Sequence, residues 1–478
     1  MKRLIFASLL ALSACMVGPD YHKPALKLPA AYSIAPGWVK AAPDDAAAKG
    51  AWWTAFHDPA LDRLEPQVAV NNATIKADFY AYRQAAEAVR AAQGALYPTL
   101  GLTGSATRAA SGGGSSGVGG GPRTAGTAEG TVSWVPDIWG KIRRQVQQNS
   151  AAAQVSAADL ANATLSSQAA LAADYVDLRA ADASIALYRQ TVTAYQRSLR
   201  IAQNQVAAGT AAPGDVITAR TQLEGAQSSL IALGVARTQY DNAIAVLTGQ
   251  FPENFALPPA AQIPDVPVPP AGVPSTLLER RPDIAAAERS MAEQNAAIGV
   301  AVGAYYPDIT LSALGGYSAD PIGGLFSAAN ALWSLGADAS ATLFDGGIRS
   351  AKVAAAEDAY DAAEESYRAT VLTAFQDTEN DLSALRIYAA QARVQTATVA
   401  DAGRAVQIAL NEYEAGTVPY TTVVTAQVTL LGSQQSLLTI QQDRLLAAVA
   451  LYQDLGGGFT AQDIPSAARL QAGVPFAP

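Results

Sequence analysis

The chain of 478 residues holds one cysteine and two histidines. A lone thiol, Cys15, excludes an intrachain disulfide framework. With histidine confined to His22 and His57, no His/Cys/carboxylate cluster has the spacing of a metal site. No nucleophile motif stands beside a base, so the sequence offers no enzyme chemistry, no cofactor and no metal. Charge is scarce as well: 15% of residues, with a net of −9 and no long Lys/Arg run. That excludes a nucleic-acid surface. Past the first residues, no apolar run approaches the roughly 20 residues of a spanning helix. If the mature chain crosses a bilayer, it must do so as β-strands. What is plentiful is apolar, 50% of the residues with much alanine, which argues against disorder.

The start of the chain reads as a secretion signal, with Lys2 and Arg3 ahead of an apolar stretch from Leu4 to Leu12. Leu12-Ser13-Ala14-Cys15 resembles a bacterial lipoprotein box, in which the cysteine receives a diacylglycerol and becomes the first mature residue. An ordinary signal with a coincidental cysteine is the alternative. Met16, in place of aspartate, implies delivery to the outer membrane. Removing residues 1–14 moves the charge from −9 to −11. Lipid on Cys15 alone would only tether the protein.

The body of the chain is written twice, at an offset of about 207 residues. Tyr97-Pro98 recurs as Tyr306-Pro307, and Asp137 to Arg143 recurs loosely as Phe344 to Arg349. Ala208-Gly209-Thr210 recurs as Ala415-Gly416-Thr417, and Gly249 as Gly456. So long a period means duplication of a whole domain and not a solenoid. The boundaries read as a signal over 1–14, an arm over 15–60 and a first repeat over 61–250. A connector follows over 251–281, then a second repeat over 282–457 and a tail over 458–478. The eight prolines between Phe251 and Ser275 keep the connector extended.

Each repeat opens with one helix (Leu61 to Gly94; Asp283 to Ala304), followed by two alternating segments, a very long helix, a Gly-Thr turn and another helix. The long helices are expected over about 141–208 and 347–415. Leu171, Leu178, Ile185, Val192, Leu199 and Val206 fall on one heptad, as do Val371, Thr378, Leu385, Ala392, Val399, Val406 and Tyr413. A sustained seven-residue period gives left-handed helix-on-helix packing. At 1.5 Å per residue each helix runs to roughly 100 Å.

Four segments alternate as half-exposed strands, over about 99–108, 126–135, 308–317 and 333–344. One face is small and apolar, the other hydroxyl, glycine and isolated carboxylate, as a lipid face and a wet lumen require. Trp134, Tyr317, Trp333 and Phe344 sit near strand ends, where interfacial aromatics belong. Four strands cannot close a barrel, so a membrane role demands several copies. The Gly/Ser run from Ser111 to Gly121 and the stretch from Ala319 to Ala331 read as flexible external loops.

This order of elements resembles the outer-membrane factors of tripartite efflux systems, in the lipoprotein branch of the TolC-like family. The motifs that carry the resemblance are Cys15, Val17-Gly18-Pro19-Asp20-Tyr21, Trp52-Trp53, Asp58-Pro59, Leu277 to Ile284 and Leu455-Gly456-Gly457-Gly458. It implies a membrane α+β fold: a homotrimer with a 12-stranded transmembrane barrel, four strands per chain, continuous with a long periplasmic α-helical barrel. It also implies a passive duct for small molecules such as drugs, docked to a periplasmic adaptor and an inner-membrane pump of the resistance-nodulation-division class. The periplasmic gate then falls at the two tip turns, Gly209-Thr210 and Gly416-Thr417-Val418. The resemblance places Asp215 and Tyr413 as a closing hydrogen bond, with helix capping by Asp215 the alternative. Where some members carry an arginine and an aspartate ring, this chain has Val418, Thr422 and Thr425, which speaks against a charged gate. Asp377, Glu379 and Asp381 form an acidic patch, read as a solvated face. Alternatives left open are a type I protein-secretion duct and a lipoprotein coiled-coil scaffold without a pore.

Overall fold

The computed structural model describes residues 16–24, 50–110, 122–260, 262–267 and 280–473. Cys15, the Gly/Ser run and much of the connector lie outside the described residues. The helices are α1 (Pro59–Asn71), α2 (Ala73–Gly94), α3 (Lys141–Ala207), α4 (Pro213–Leu247), α5 (Pro282–Gly303), α6 (Ile348–Glu414), α7 (Tyr420–Asp454) and α8 (Ala467–Gln471). The strands are β1 (Thr99–Ala109), β2 (Arg123–Trp134), β3 (Asp308–Ala319) and β4 (Ala331–Ser340). No described helix is long and apolar enough to cross a membrane.

The helix expected over Leu61 to Gly94 is two helices, broken at Asn72. Its backbone is extended there (φ −60°, ψ 127°), and its side-chain oxygen accepts from the N–H groups of Thr74 and Ile75. An asparagine that caps the next helix outcompetes continuation of the first. Its side-chain amide also donates to the Leu247 carbonyl at 3.2 Å, and Asn72 is buried. We expect Asn72→Ala to cost about 2 kcal/mol, because it uncaps α2 and strands a buried carbonyl. Denaturant midpoints check this, and a change under about 0.5 kcal/mol would rule the cap out as the cause of the break.

α3 and α6 are each 67 residues long. α3 packs on α2 and α5 over one part of its length and on α4 and α7 over another, while α6 packs on α5 and α7. The shorter helices abut end to end, so the layer stays four helices wide. At the α1–α4 junction Gly249 is left-handed (φ +71°), and a Cβ there would lie 2.6 Å from the Asn71 carbonyl oxygen. The α5–α7 junction repeats this: Gly456 (φ +84°) sits with a Cβ position 2.5 Å from the Arg280 carbonyl oxygen. Arg281 clamps that second junction, bonding the Asp454 carboxylate at 2.9 Å and Asp283 at 2.8 Å. Leu171, Leu178, Val371, Thr378, Leu385 and Tyr413 of the heptads are all buried.

The four strands form one antiparallel sheet in the order β1-β2-β3-β4. Its register aligns Leu100, Val132, Ala313 and Leu335 in one row and Leu102, Gly130, Gly315 and Trp333 in the next. Between them lies the row Gly101, Thr131, Leu314 and Ser334, and beyond the first is the polar row Thr99, Ser133, Ser312 and Gly336. β4 ends at Ser340 and does not run on to Phe344. Its partner β3 begins at Asp308, opposite Ser340, directly after Pro307, so residues 341–344 find no ladder. β1 and β4 are the sheet's two edges.

Each sheet-to-helix elbow is an aspartate clamp. Asp137 accepts from the backbone N–H of Ile142 and Arg143 and from the Arg143 guanidinium at 3.0 Å. Asp345 accepts likewise from the Arg349 N–H and guanidinium. Across the first elbow lies the arm. Val17 N–H donates to the Trp139 carbonyl, and Arg144 donates to the carbonyls of Val17 and Gly18 and to the Asp20 carboxylate.

Candidate functional site at the helical tip

Both long helices end in the same turn. At the first, Gly209 (φ +73°) lets Gly209 N–H reach the Val206 carbonyl and Thr210 N–H the Gln205 carbonyl, each at 3.0 Å. At the second, Gly416 (φ +74°) places its N–H on the Tyr413 carbonyl and that of Thr417 on Glu412, at 3.0 and 2.9 Å. These are the paired bonds of a glycine C-cap. The Thr210 and Thr417 hydroxyls donate to the same Gln205 and Glu412 carbonyls at 2.9 Å. Pro213 and Pro419 then forbid continuation.

The two hairpins are stitched together at one level. The Tyr413 hydroxyl donates to the Asp215 carboxylate at 3.1 Å, and the Gln205 amide donates to the Glu414 carbonyl at 2.9 Å. Asp215 does not cap α4: Ala212 holds that position without a side-chain cap. Asp215 sits in the first turn of α4, where a carboxylate favours the helix dipole. The Tyr413 ring meets Tyr420 edge-on at 5.1 Å, within a small core of Ala202, Ala219, Ala409 and Val423. Val418 packs against that core, half-buried. Burial raises the Tyr413 hydroxyl above the usual tyrosine range, and the Asp215 charge raises it further. Tyr420 is pushed up to about 12, chiefly by burial. Thr422 and Thr425 are exposed on α7.

At the other end of the chain, Trp134, Tyr317 and Trp333 share the sheet's apolar face. Trp134 closes β2 and donates its indole N–H to the Leu96 carbonyl, while Tyr317 packs on Phe326. Phe344 stands off the sheet and is 88% exposed. Within the acidic patch, Asp381 is pushed up to about 7 by burial and then by Asp454, so it is not simply a solvated face.

The profile of the family described as outer membrane efflux protein matches residues 64–250 and 273–457. The chain belongs to this family. It is 31% identical over 477 residues to the solvent efflux pump outer membrane protein SrpC of Pseudomonas putida, covering 96% of this chain and 98% of that one. It is 30% identical over 464 residues to the probable efflux pump outer membrane protein TtgC of the same species, covering 94% of each. The outer-membrane channel OprN superposes with a TM-score of 0.83 at 27% identity, over 93% of this chain and 99% of that one. The protein is therefore an outer-membrane efflux channel component, its sheet forming barrel wall and its long helices the tunnel below.

Sequence reasoning did not find Gln205, Asn72 or the Arg144 clamp. Gln205 stands 207 residues before Glu412, so the repeat offset was the available signal. The Arg144 clamp left none, because Arg144 and the arm that it binds are more than 120 residues apart.

Proposed function

We propose that three copies share one pore and form a passive export duct for small, toxic organic compounds, closed at the periplasmic tip by Tyr413 and Asp215. The observation that carries this is the four-stranded sheet with an apolar face and two open edges. Lipid tolerates no open edge, and three sheets make a 12-stranded wall within the size range of such barrels. The helical layer is open at matching edges, α4 and α6, where Ile217, Ile231, Leu372, Ile387 and Val394 remain exposed. A neighbouring copy covers them. The energy comes from an inner-membrane pump reached through a periplasmic adaptor, and the duct itself does no covalent chemistry. SrpC, named for solvent efflux, supports apolar organic cargo. Electron microscopy of the detergent-purified protein is expected to show threefold particles, and planar bilayers a conducting pore. Dispersed monomers without conductance would end the reading.

Lipid on Cys15 completes the proposal. The arm's contacts with Trp139 and Arg144 hold Met16 against Gly140 at the head of α3, next to the sheet and thus beside the membrane. Cys15→Ala is expected to abolish acylation while leaving most of the protein in the membrane fraction. Complete release into the soluble periplasm contradicts the barrel.

A further inference from the structure

Two segments outside the helical layer meet over its middle. The arm crosses α3 and α5. Arg144 holds the Val17 and Gly18 carbonyls, the Asn295 amide donates to the Pro19 carbonyl at 3.0 Å, and the Tyr21 hydroxyl donates to Glu288 at 2.5 Å. The segment after α7 returns across α3, where the Gln154 amide donates to the Pro465 carbonyl at 3.0 Å. Leu470 of α8 is buried beside Tyr82, Val89 and Val146, which anchors that segment. Between the arm, α3, α5 and the returning segment is a cavity of about 580 Å³, within the range of small-molecule sites. In this half of the layer α3 and α5 are the inner pair, flanked by α2 and α6. The cavity therefore opens on a broad face and not at a seam between copies.

The charge of this cavity runs against that of the chain. The protein carries a net of −9, yet Lys23, Arg289 and Arg469 line the cavity against a single carboxylate, Glu288. That carboxylate is already committed, since it accepts from the Tyr21 hydroxyl and from the Arg289 guanidinium. Arg289 is held in place by this bond and by the face of the Tyr21 ring, whose centroid lies 5.8 Å from the guanidinium carbon. Carboxylates nearby in sequence bond elsewhere: Asp20 to Arg144, Asp283 to Arg281 and Asp463 to Thr460. Lys23 and Arg469 come from different segments, and both reach solvent. Cations gathered in this way repel one another, a cost that a bound anion removes. The rest of the wall is largely apolar, with Ile284, Ile464 and Pro465. A cationic rim beside an apolar wall recognises an anion that carries an apolar body.

We propose that this cavity binds a small organic dianion, a phosphate monoester or a dicarboxylate with an apolar body, and that the ligand ties the arm to the returning segment. Lys23 and Arg469 hold its charge through charge-assisted hydrogen bonds, while Ile284 and Ile464 cover its body. The site needs no conducting pore, so loss of binding and loss of conductance are separate results. Isothermal titration of the full chain in non-ionic detergent tests it. The probes are phenyl phosphate, phthalate, inorganic phosphate and neutral benzyl alcohol, each against a detergent blank. At least one of the two organic dianions is expected to bind at least about tenfold more tightly than inorganic phosphate or benzyl alcohol, and which one it is names the anionic group. The paired variant Lys23→Gln, Arg469→Gln should weaken that binding at least about tenfold, as should Gln462→Glu, which adds a carboxylate to the wall. All three positions are exposed, and unchanged trimer migration shows that each variant has folded. The dianion should also raise the melting temperature of the natural protein and not that of the variants. Equal binding of inorganic phosphate reduces the site to bare charge, and equal binding of benzyl alcohol reduces it to apolar contact. Either overturns the proposal, as does undiminished binding in either variant or no heat from any probe up to about 5 mM.

Discussion

Asp215→Ala combined with Tyr413→Phe raises the single-channel conductance of the reconstituted protein at least about fivefold, through loss of a charge-assisted hydrogen bond worth roughly 1.5–3 kcal/mol per copy. Each 1.4 kcal/mol shifts the closed-to-open ratio about tenfold, and a ring of copies multiplies the effect. The tyrosine ring can stay packed on Tyr420 when the hydroxyl goes, so the helices themselves need not unfold. The pH dependence has a defined sign. The Tyr413 hydroxyl ionises above the ordinary value of 10.0, so its contribution is whole below that value. It is lost only as pH climbs through the raised one. Conductance of the unmodified protein should therefore hold steady from neutral pH up to about 10. Unchanged conductance in the double variant would place closure elsewhere.

Glu65→Gln is expected to stabilise the protein by about 4–5 kcal/mol at pH 8 and by less than about 1 kcal/mol at pH 5. Glu65 lies in α1 with no exposed surface, and among the described residues neither carboxyl oxygen has a hydrogen-bond partner. Burial alone pushes it from 4.5 to about 9. Below pH 4.5 folded and unfolded chains both hold the proton, and nothing is lost. As pH rises from there towards 9, the unfolded chain releases the proton while the folded chain keeps it, so stability falls. Glutamine has the same shape and cannot ionise, and it shares the cost of burying polar atoms, so the comparison isolates the proton. Denaturant midpoints at the two pH values measure it. An equal difference at both would refute the assignment.

Glu65 also shows where sequence reasoning stops. A glutamate in LDRLEPQV reads as a surface residue, since only the packing of α1 against α3 removes it from water. Asn72 is similar: the apolar spacing of Leu61, Leu64, Val68 and Ile75 runs on past it, and the break becomes visible only through its bonds to Thr74, Ile75 and the distant Leu247. The overrun at β4 has the same origin. Alternation continues to Phe344 in sequence, but a strand needs a partner, and β3 has none to offer beyond Asp308.

The duplicated order of elements, the two long helices, the four alternating strands and the twin glycine turns all follow from local pattern. Period, proline and glycine act through neighbours in the chain, and the sequence determines them by itself. The tertiary structure decided what pattern cannot carry: that Tyr413 meets Asp215 across 198 residues, that Arg144 grips the arm, and that Lys23, Arg289 and Arg469, from three separate segments, line one cavity. These are contacts between segments remote in sequence. Their geometry is fixed only when long helices pack side by side, because packing chooses which face of each helix is buried and which is left to solvent.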